Sequence, residues 1–334
     1  MRLTLVTGAA GFIGAAVVGR LLNDGERVLG IDNLNDYYSV DLKISRLERL
    51  RELGGDRFIF EQADFAENKA LAACLADAEF DRIVHLGAQP GVRYSLENPH
   101  AYVQSNIVGH LNILELSRER RVTHLVYASS SSVYGGNDKI PFSVGDRVDH
   151  PYSLYAATKK ADELMSETYA HLYRIPQTGL RFFTVYGPWG RPDMMPWIFT
   201  SKILSGEPIP VFNYGKLQRD FTYIDDIVSG IIACLDAPPR DDGDVKPGGS
   251  ISPHALYNIG NNRPEELLDV IAIIEQACGQ KAILDLLPMQ EGDVPRTFAD
   301  IDAICNDVGY IPKTTVDEGF PRFVEWFKSY HGLG

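Results

Sequence analysis

The chain has 334 residues, 45% hydrophobic and 23% charged, with four cysteines and a net charge of −13. That length suits about two domains and the apolar content suits a buried core, which excludes a disordered, collagen-like or disulfide-scaffolded chain. The acidic balance is a poor footprint for duplex nucleic acid or an anionic membrane, although a local group of arginines can still receive one small anion.

Residues 3–7 form a short apolar run, as a buried parallel strand does. Residues 14–23 then read as a helix, 27–31 as a strand, 42–53 as a charged helix and 58–62 as a third strand. A helix at 69–75, a strand at 82–86, a helix at 103–118, a strand at 124–128, a helix at 156–172 and a strand at 177–182 continue the alternation. Such alternation predicts an α/β fold, a doubly wound parallel sheet of the Rossmann type. After Phe183 prolines punctuate the chain, and 236–253 is a Pro/Gly/Asp-rich loop before helices at 265–278 and 319–330. Residues 1–182 are therefore expected to form the nucleotide-binding domain and 183–334 mainly a smaller lobe, with about 212–232 returning to the first domain.

Residues 3–19 carry no charge and follow Arg2, as in a secretory leader. Glycines at 8, 11, 14 and 19 interrupt the run, and no small-residue cleavage signal follows. No stretch approaches the ~18 apolar residues of a membrane span. Cys74, Cys234, Cys278 and Cys305 have neither C-x-x-C nor metal-ligand spacing. Free thiols in a reducing cytoplasm, with no membrane, metal or nucleic-acid partner, are the expectation.

Between the first strand and helix lies Gly8-Ala9-Ala10-Gly11-Phe12-Ile13-Gly14. Glycines there permit a sharp turn and let a pyrophosphate approach the N–H groups that open the helix. Asp32 ends the second strand at the distance expected of a ribose-binding acid. A carboxylate accepts from an adenosine 2′-hydroxyl and repels a 2′-phosphate; with Asn33 beside it and no arginine, NAD is expected rather than NADP. Asp64 and Phe65 follow the third strand, within reach of an adenine amino group. Gly87-Ala88-Gln89 end the fourth, where small residues let backbone run beside a cofactor.

Tyr155 and Lys159 stand four apart at the start of a predicted helix, so they share a face. A phenol is a poor base at neutral pH unless nearby cations stabilise its phenolate. Such a tyrosine can exchange the proton of a substrate alcohol. Lys160 has the wrong spacing and should face elsewhere. Ser129-Ser130-Ser131-Ser132-Val133-Tyr134-Gly135 follows the fifth strand, and a hydroxyl there, Ser130, can bond the reacting oxygen. Asn106 is expected beside the cofactor, bonding backbone or Tyr155.

Several further segments carry a family resemblance. They are Asn33-Leu34-Asn35-Asp36-Tyr37-Tyr38, Gln89-Pro90-Gly91-Val92-Arg93, Tyr155 to Lys160, Arg181-Phe182-Phe183-Thr184-Val185-Tyr186-Gly187-Pro188-Trp189-Gly190-Arg191-Pro192, Arg219 to Asp226, and Pro288 to Val294. With them the chain resembles the extended short-chain dehydrogenase/reductases that modify nucleotide sugars. Within that group it is most similar to the UDP-glucuronate 4-epimerases, over nearly its whole length. The resemblance implies C4 epimerisation of a UDP-sugar with bound NAD through a 4-keto sugar, and a homodimer formed through the helices at 103–118 and 156–172. It implies catalytic Tyr155, Lys159 and Ser130, cofactor contacts at Phe183 and Val185, and sugar or diphosphate contacts at Arg93, Arg191 and Arg219.

The resembling dehydratases carry an Asp-Glu pair before the Val-Tyr-Gly, and the decarboxylases a Ser-Glu; here Ser131 and Ser132 stand instead. Dehydration needs an acid and a base, so their loss argues against it. Oxidised UDP-glucuronate is a β-keto acid, which an epimerase must hold out of alignment for loss of CO₂. The hydroxyls of Ser130, Ser131, Ser132 and Thr184 are expected to grip that carboxylate. UDP-glucose or UDP-N-acetylhexosamine epimerisation, and less so UDP-glucuronate decarboxylation, are the alternatives. Arg181 is expected in a structural ion pair, His85 as a satisfied core histidine, and Trp189 and Trp197 in packing.

Overall fold

The computed structural model describes residues 2–290 and 293–333. Glu291 and Gly292, part of the late matching segment, lie outside the described residues.

The elements run β1 (Leu3–Thr7), α1 (Phe12–Asn23), β2 (Arg27–Asp32), α2 (Val40–Gly54), β3 (Phe58–Gln62), α3 (Asn68–Cys74) and β4 (Arg82–His85). Next come the short α4 (Tyr94–Glu97) and α5 (Pro99–Tyr102), a π-helical stretch at Val103–Val108, α6 (Gly109–Arg120), β5 (His124–Ser130) and a 3₁₀ turn at Ser131–Tyr134. The second part holds α7 (Leu154–Tyr173), β6 (Gln177–Phe182), β7 (Thr184–Tyr186), α8 (Met195–Ser205), β8 (Pro208–Val211), β9 (Gln218–Tyr223) and α9 (Ile224–Leu235). It closes with β10 (His254–Ile259), β11 (Pro264–Glu266), α10 (Leu267–Cys278), β12 (Ile283–Leu286), α11 (Asp302–Val308) and α12 (Val316–Tyr330).

Seven parallel strands form the main sheet in the order β10-β6-β5-β4-β1-β2-β3. β1 has β2 on one side and β4 on the other, so the strand order reverses there. Ligands of such sheets bind outside the carboxyl ends of the strands at this switch point. The central strands are apolar because helices cover both faces: Leu5, Val6, Ile83, Val84, Leu125 and Val126 are all fully buried.

Two features of the second part depart from a simple division at residue 182. α9 packs on α1, β5 and β6, while β10 adds the seventh strand of the main sheet. The rest of the stretch expected to return does not join that sheet: β9 pairs with β7 and with antiparallel β11 in a separate three-stranded sheet. β8 and β12 form a third, two-stranded sheet. Asp220 ties these parts together. Its carboxylate accepts from the N–H groups of Asn261, just beyond β10, at 2.7 Å and Ala299 at 3.0 Å. Burial nevertheless pushes this carboxyl up to about 6, with those N–H bonds pulling the other way.

The helix read at 103–118 begins as the π-helical stretch and continues as α6, with the short α5 just before it. Among the described residues, no helix is long and apolar enough to cross a membrane. All four cysteines are free thiols.

Candidate active site

The glycine turn is dictated by close approach. Gly8 adopts φ +70°, and a Cβ on it would lie 2.7 Å from the Gly87 nitrogen. A Cβ on Gly14 would fall 2.0 Å from the Gly8 carbonyl oxygen. Gly11 caps α1 with no side-chain hydrogen bond, so the N–H groups opening α1 have no side-chain partner. Asp32 closes the cradle from β2: its carboxylate accepts from Ala10 N at 3.2 Å and Leu34 N at 2.9 Å. Asn33 donates to Asp64 at 2.9 Å, which joins the ends of β2 and β3. Phe65 is buried against the edge of the His85 ring, and a Cβ on Gly87 or Gly109 would strike it at 2.4 Å. A backbone cradle that any side chain would fill, unpaired helix N–H groups and an acid at the end of β2 together fit a dinucleotide. The residues thus suit NAD: Gly8 to Gly14, including Phe12 and Ile13, would hold its pyrophosphate, and Asp32 and Asp64 its adenosine end.

Of the two partners expected for Asn106, the structure shows backbone and not Tyr155. The Asn106 amide accepts from Gln89 N at 2.8 Å and donates to Gln89 O at 3.2 Å and Thr158 Oγ1 at 3.0 Å. Both amide hydrogens are thus used inside the protein. Asn106 clamps the Gly87-Ala88-Gln89 strand end to α7 rather than offering a donor to a ligand or to Tyr155.

α7 begins with Ser153, whose hydroxyl caps Ala156 N at 3.1 Å. This start places Tyr155 and Lys159 on the first turns, packed against β5 and the 3₁₀ turn. Tyr155 is half-buried, with its ring 6.0 Å from that of Tyr102. The Lys159 ammonium is buried and donates to Asp162 at 2.9 Å. Burial pushes the Asp162 carboxyl up to about 6, with Lys159 pulling it down.

The four serines divide their work. Ser129 donates to Glu163 at 2.7 Å, whereas Ser130 caps the 3₁₀ turn by accepting from Ser132 N at 3.2 Å. The Ser130 hydroxyl keeps its own hydrogen to donate. Ser131, Ser132 and Thr184 are half-buried, and Phe183 and Val185 are buried where the chain leaves β6 for β7.

The arginines are less alike than the motifs imply. Arg93 is exposed, its guanidinium 5.1 Å above the Phe212 ring. Arg191 pairs with Asp193 at 2.6 Å. Burial works against its charge, yet Asp193 holds its pKa above the ordinary value. Arg219 donates to the Gln218 carbonyl at 3.0 Å and the Pro295 carbonyl at 3.2 Å, and burial lowers its pKa. Arg181 makes the expected ion pair with Glu163, at 2.8 and 2.9 Å. His85 meets Thr7 Oγ1 at 2.7 Å, and burial pushes it down to about 3. Trp189 and Trp197 pack with Trp326 and Tyr330.

Sequence reasoning missed Arg46 and Tyr102. Arg46, 2% exposed, donates to Ala10 O at 2.9 Å, Tyr38 Oη at 2.8 Å, Trp189 O at 2.6 Å and Gly190 O at 3.2 Å. It joins the glycine turn to the bend after β7. The available signal was its place between Leu42 and Leu50, at helical spacing on the buried face of α2. Tyr102 donates to the carbonyls of Pro90 and Gly91 and shapes the loop before Arg93.

Residues 4–260 match the model of the NAD dependent epimerase/dehydratase family. A probable UDP-glucuronate 4-epimerase of Rhizobium meliloti is 47% identical over 97% of this chain and 96% of its own. UDP-glucuronate 4-epimerase 1 of Arabidopsis thaliana is 46% identical over 98% of this chain and 77% of its own. The crystal structure of a Bacillus cereus UDP-glucuronic acid 4-epimerase, in complex with UDP-glucuronic acid and NAD, superposes with a TM-score of 0.86. It is 32% identical and covers 98% of this chain and 99% of its own. The cradle, the Tyr155–Lys159 turn and these likenesses agree: the chain belongs to the NAD dependent epimerase/dehydratase family.

Proposed function

We propose that the protein interconverts UDP-glucuronate and UDP-galacturonate by inverting C4. One observation carries the substrate assignment: the turn after β5, in a chain so similar to named UDP-glucuronate 4-epimerases, offers hydroxyls where dehydration would require carboxylates. The Gly8–Gly14 turn and Asp32 would hold NAD, which would supply the hydride acceptor and donor for C4. Tyr155 takes the C4 hydroxyl proton and gives it back, so no net redox change or proton release occurs. Lys159 holds a positive charge beside that phenol, and Ser130 donates to the reacting oxygen. Ser131, Ser132 and Thr184 hold the sugar carboxylate out of line with the keto group, which suppresses loss of CO₂. Arg93, Arg191 and Arg219 offer N–H groups to the anionic ends of the substrate, where a guanidinium fork suits both carboxylate and phosphate.

In this reading residues 1–182, with α9 and β10, form the NAD-binding domain, and the remainder of 183–334 forms the UDP-sugar lobe. The protein works as a cytoplasmic homodimer. Exposed Val103, Leu111, Leu164 and Leu172 on the helical stretches at 103–118 and 156–172 supply the apolar contact.

The test is incubation of purified protein with UDP-glucuronate or UDP-glucose, without added NAD, followed by proton NMR. UDP-galacturonate alone is the expected product. Conversion of UDP-glucose alone would keep the catalytic residues and overturn the substrate. A UDP-pentose would identify a decarboxylase.

A further inference from the structure

Lys159 stands four residues after Tyr155 and three before Asp162, so all three share one face of α7. The ammonium is 3% exposed and Asp162 is 1% exposed. A lysine has three donors. Among the described residues, only the bond to Asp162 uses one, which leaves two free. The other carboxylate oxygen, Asp162 Oδ1, is buried without a partner.

The groups around this pair do not share its task. His85, at the end of β4, and His110, on α6, are both lowered by burial and then by neighbouring positive charge, and so are neutral in the working range. Glu163 is engaged by Arg181 of β6 and by Lys160. Burial raises Tyr102 of α5, Tyr127 of β5 and Tyr134 of the 3₁₀ turn. His254 of β10 is bound to Glu167 and Tyr127. Asp162 is therefore the anion that answers Lys159. A buried lysine with no anion would tend to lose its proton.

We propose that Asp162 is a positioning residue for the reaction. Its carboxylate fixes the Lys159 ammonium at the inner wall of the site and sets the pH range in which Tyr155 and Lys159 exchange protons. The idea rests on the epimerase reading above. It assigns to α7 a triad, Tyr155-Lys159-Asp162, of which the two-residue motif shows only part.

The sign follows from Coulomb's law. Asp162→Asn keeps the shape and an oxygen for the ammonium but removes a negative charge. Every proton-binding group left nearby then releases its proton at lower pH. Both limbs of the kcat–pH profile of the purified holoenzyme should move to lower pH by about half a unit to one unit. The tyrosinate absorbance of each protein, minus that of the same protein with Tyr155→Phe, should titrate with the same displacement. Asp162→Glu should restore both. Superposition on the wild-type curves, or movement to higher pH, overturns the proposal. If Asp162→Asn does not fold, Asp162→Ser removes the same charge and is read in the same way. If the wild type does not epimerise UDP-glucuronate, the functional reading fails, and the tyrosinate titration still decides the role of Asp162.

Discussion

Asp162 and Glu163 are neighbours on α7 and both nearly inaccessible, yet their carboxyls lie far apart, at about 6 and about 2. Burial pushes both up. For Glu163 that push is overcome by a two-pronged bond from Arg181, by Lys160 at 3.0 Å and by Ser129. Asp162 has Lys159 alone, and one of its oxygens has no partner. The cluster around the saturated Glu163 carboxylate faces β5 and β6 and holds the sheet to the helix. The unsaturated pair lies one to two helical turns after Tyr155, on the same face of α7. A carboxylate with every lone pair used is a fixed structural part, whereas one with capacity left can respond when a proton or ligand arrives.

The largest effect should come from breaking the saturated cluster. Arg181→Met leaves Glu163 buried without its main partner and should lower the unfolding free energy by about 3–5 kcal/mol in urea titration. A loss below about 1 kcal/mol would erase the contrast. The pH dependence has a fixed sign. The Glu163 carboxyl is lowered on folding, so its contribution is complete above its ordinary value of 4.5 and is lost as pH falls towards about 2. Glu163→Gln should remove that part of the acid-induced loss of stability.

Tyr155→Phe tests the unsaturated side. Epimerisation should fall by about 10²–10⁴-fold while urea stability and retained NAD stay unchanged. Equal losses of stability and activity would place Tyr155 in the scaffold. Asn106→Ala sits between the two regions. It strands the Gln89 N–H and should cost about 1–3 kcal/mol of stability, with weaker NAD retention measured after gel filtration. The smallest expected change is that of Thr184→Val. Turnover of UDP-glucuronate should drop about tenfold, as for one hydrogen bond to a charged group, and a UDP-pentose should appear by NMR. A variant that neither slows nor leaks pentose would falsify the assigned grip on the carboxylate.

The strand–helix alternation, the glycine turn, Asp32 and the Tyr155–Lys159 spacing were legible because each is local. Residues a few positions apart share a face or a turn whatever the remainder of the chain does. β10 was not legible, since 71 residues separate the end of β6 (Phe182) from the start of the strand that joins it (His254), and no spacing rule reports such a return. Asn106 illustrates another limit. Its neighbourhood was predictable, but the direction of its amide depended on Gln89 and Thr158, which come from other elements. Arg46 was hidden because a charged residue in a charged helix reads as solvated. Only the folded chain brings four acceptors from three loops around it.

That arginine has a kinetic consequence. One guanidinium grips both the turn that opens α1 and the bend at Trp189-Gly190, so release of that guanidinium frees both segments together. Amide protons in the two stretches, some 180 residues apart in the chain, should exchange with deuterated solvent in step, as one cooperative unit. The bend, an irregular loop by appearance, is protected by a residue of the helix opposite.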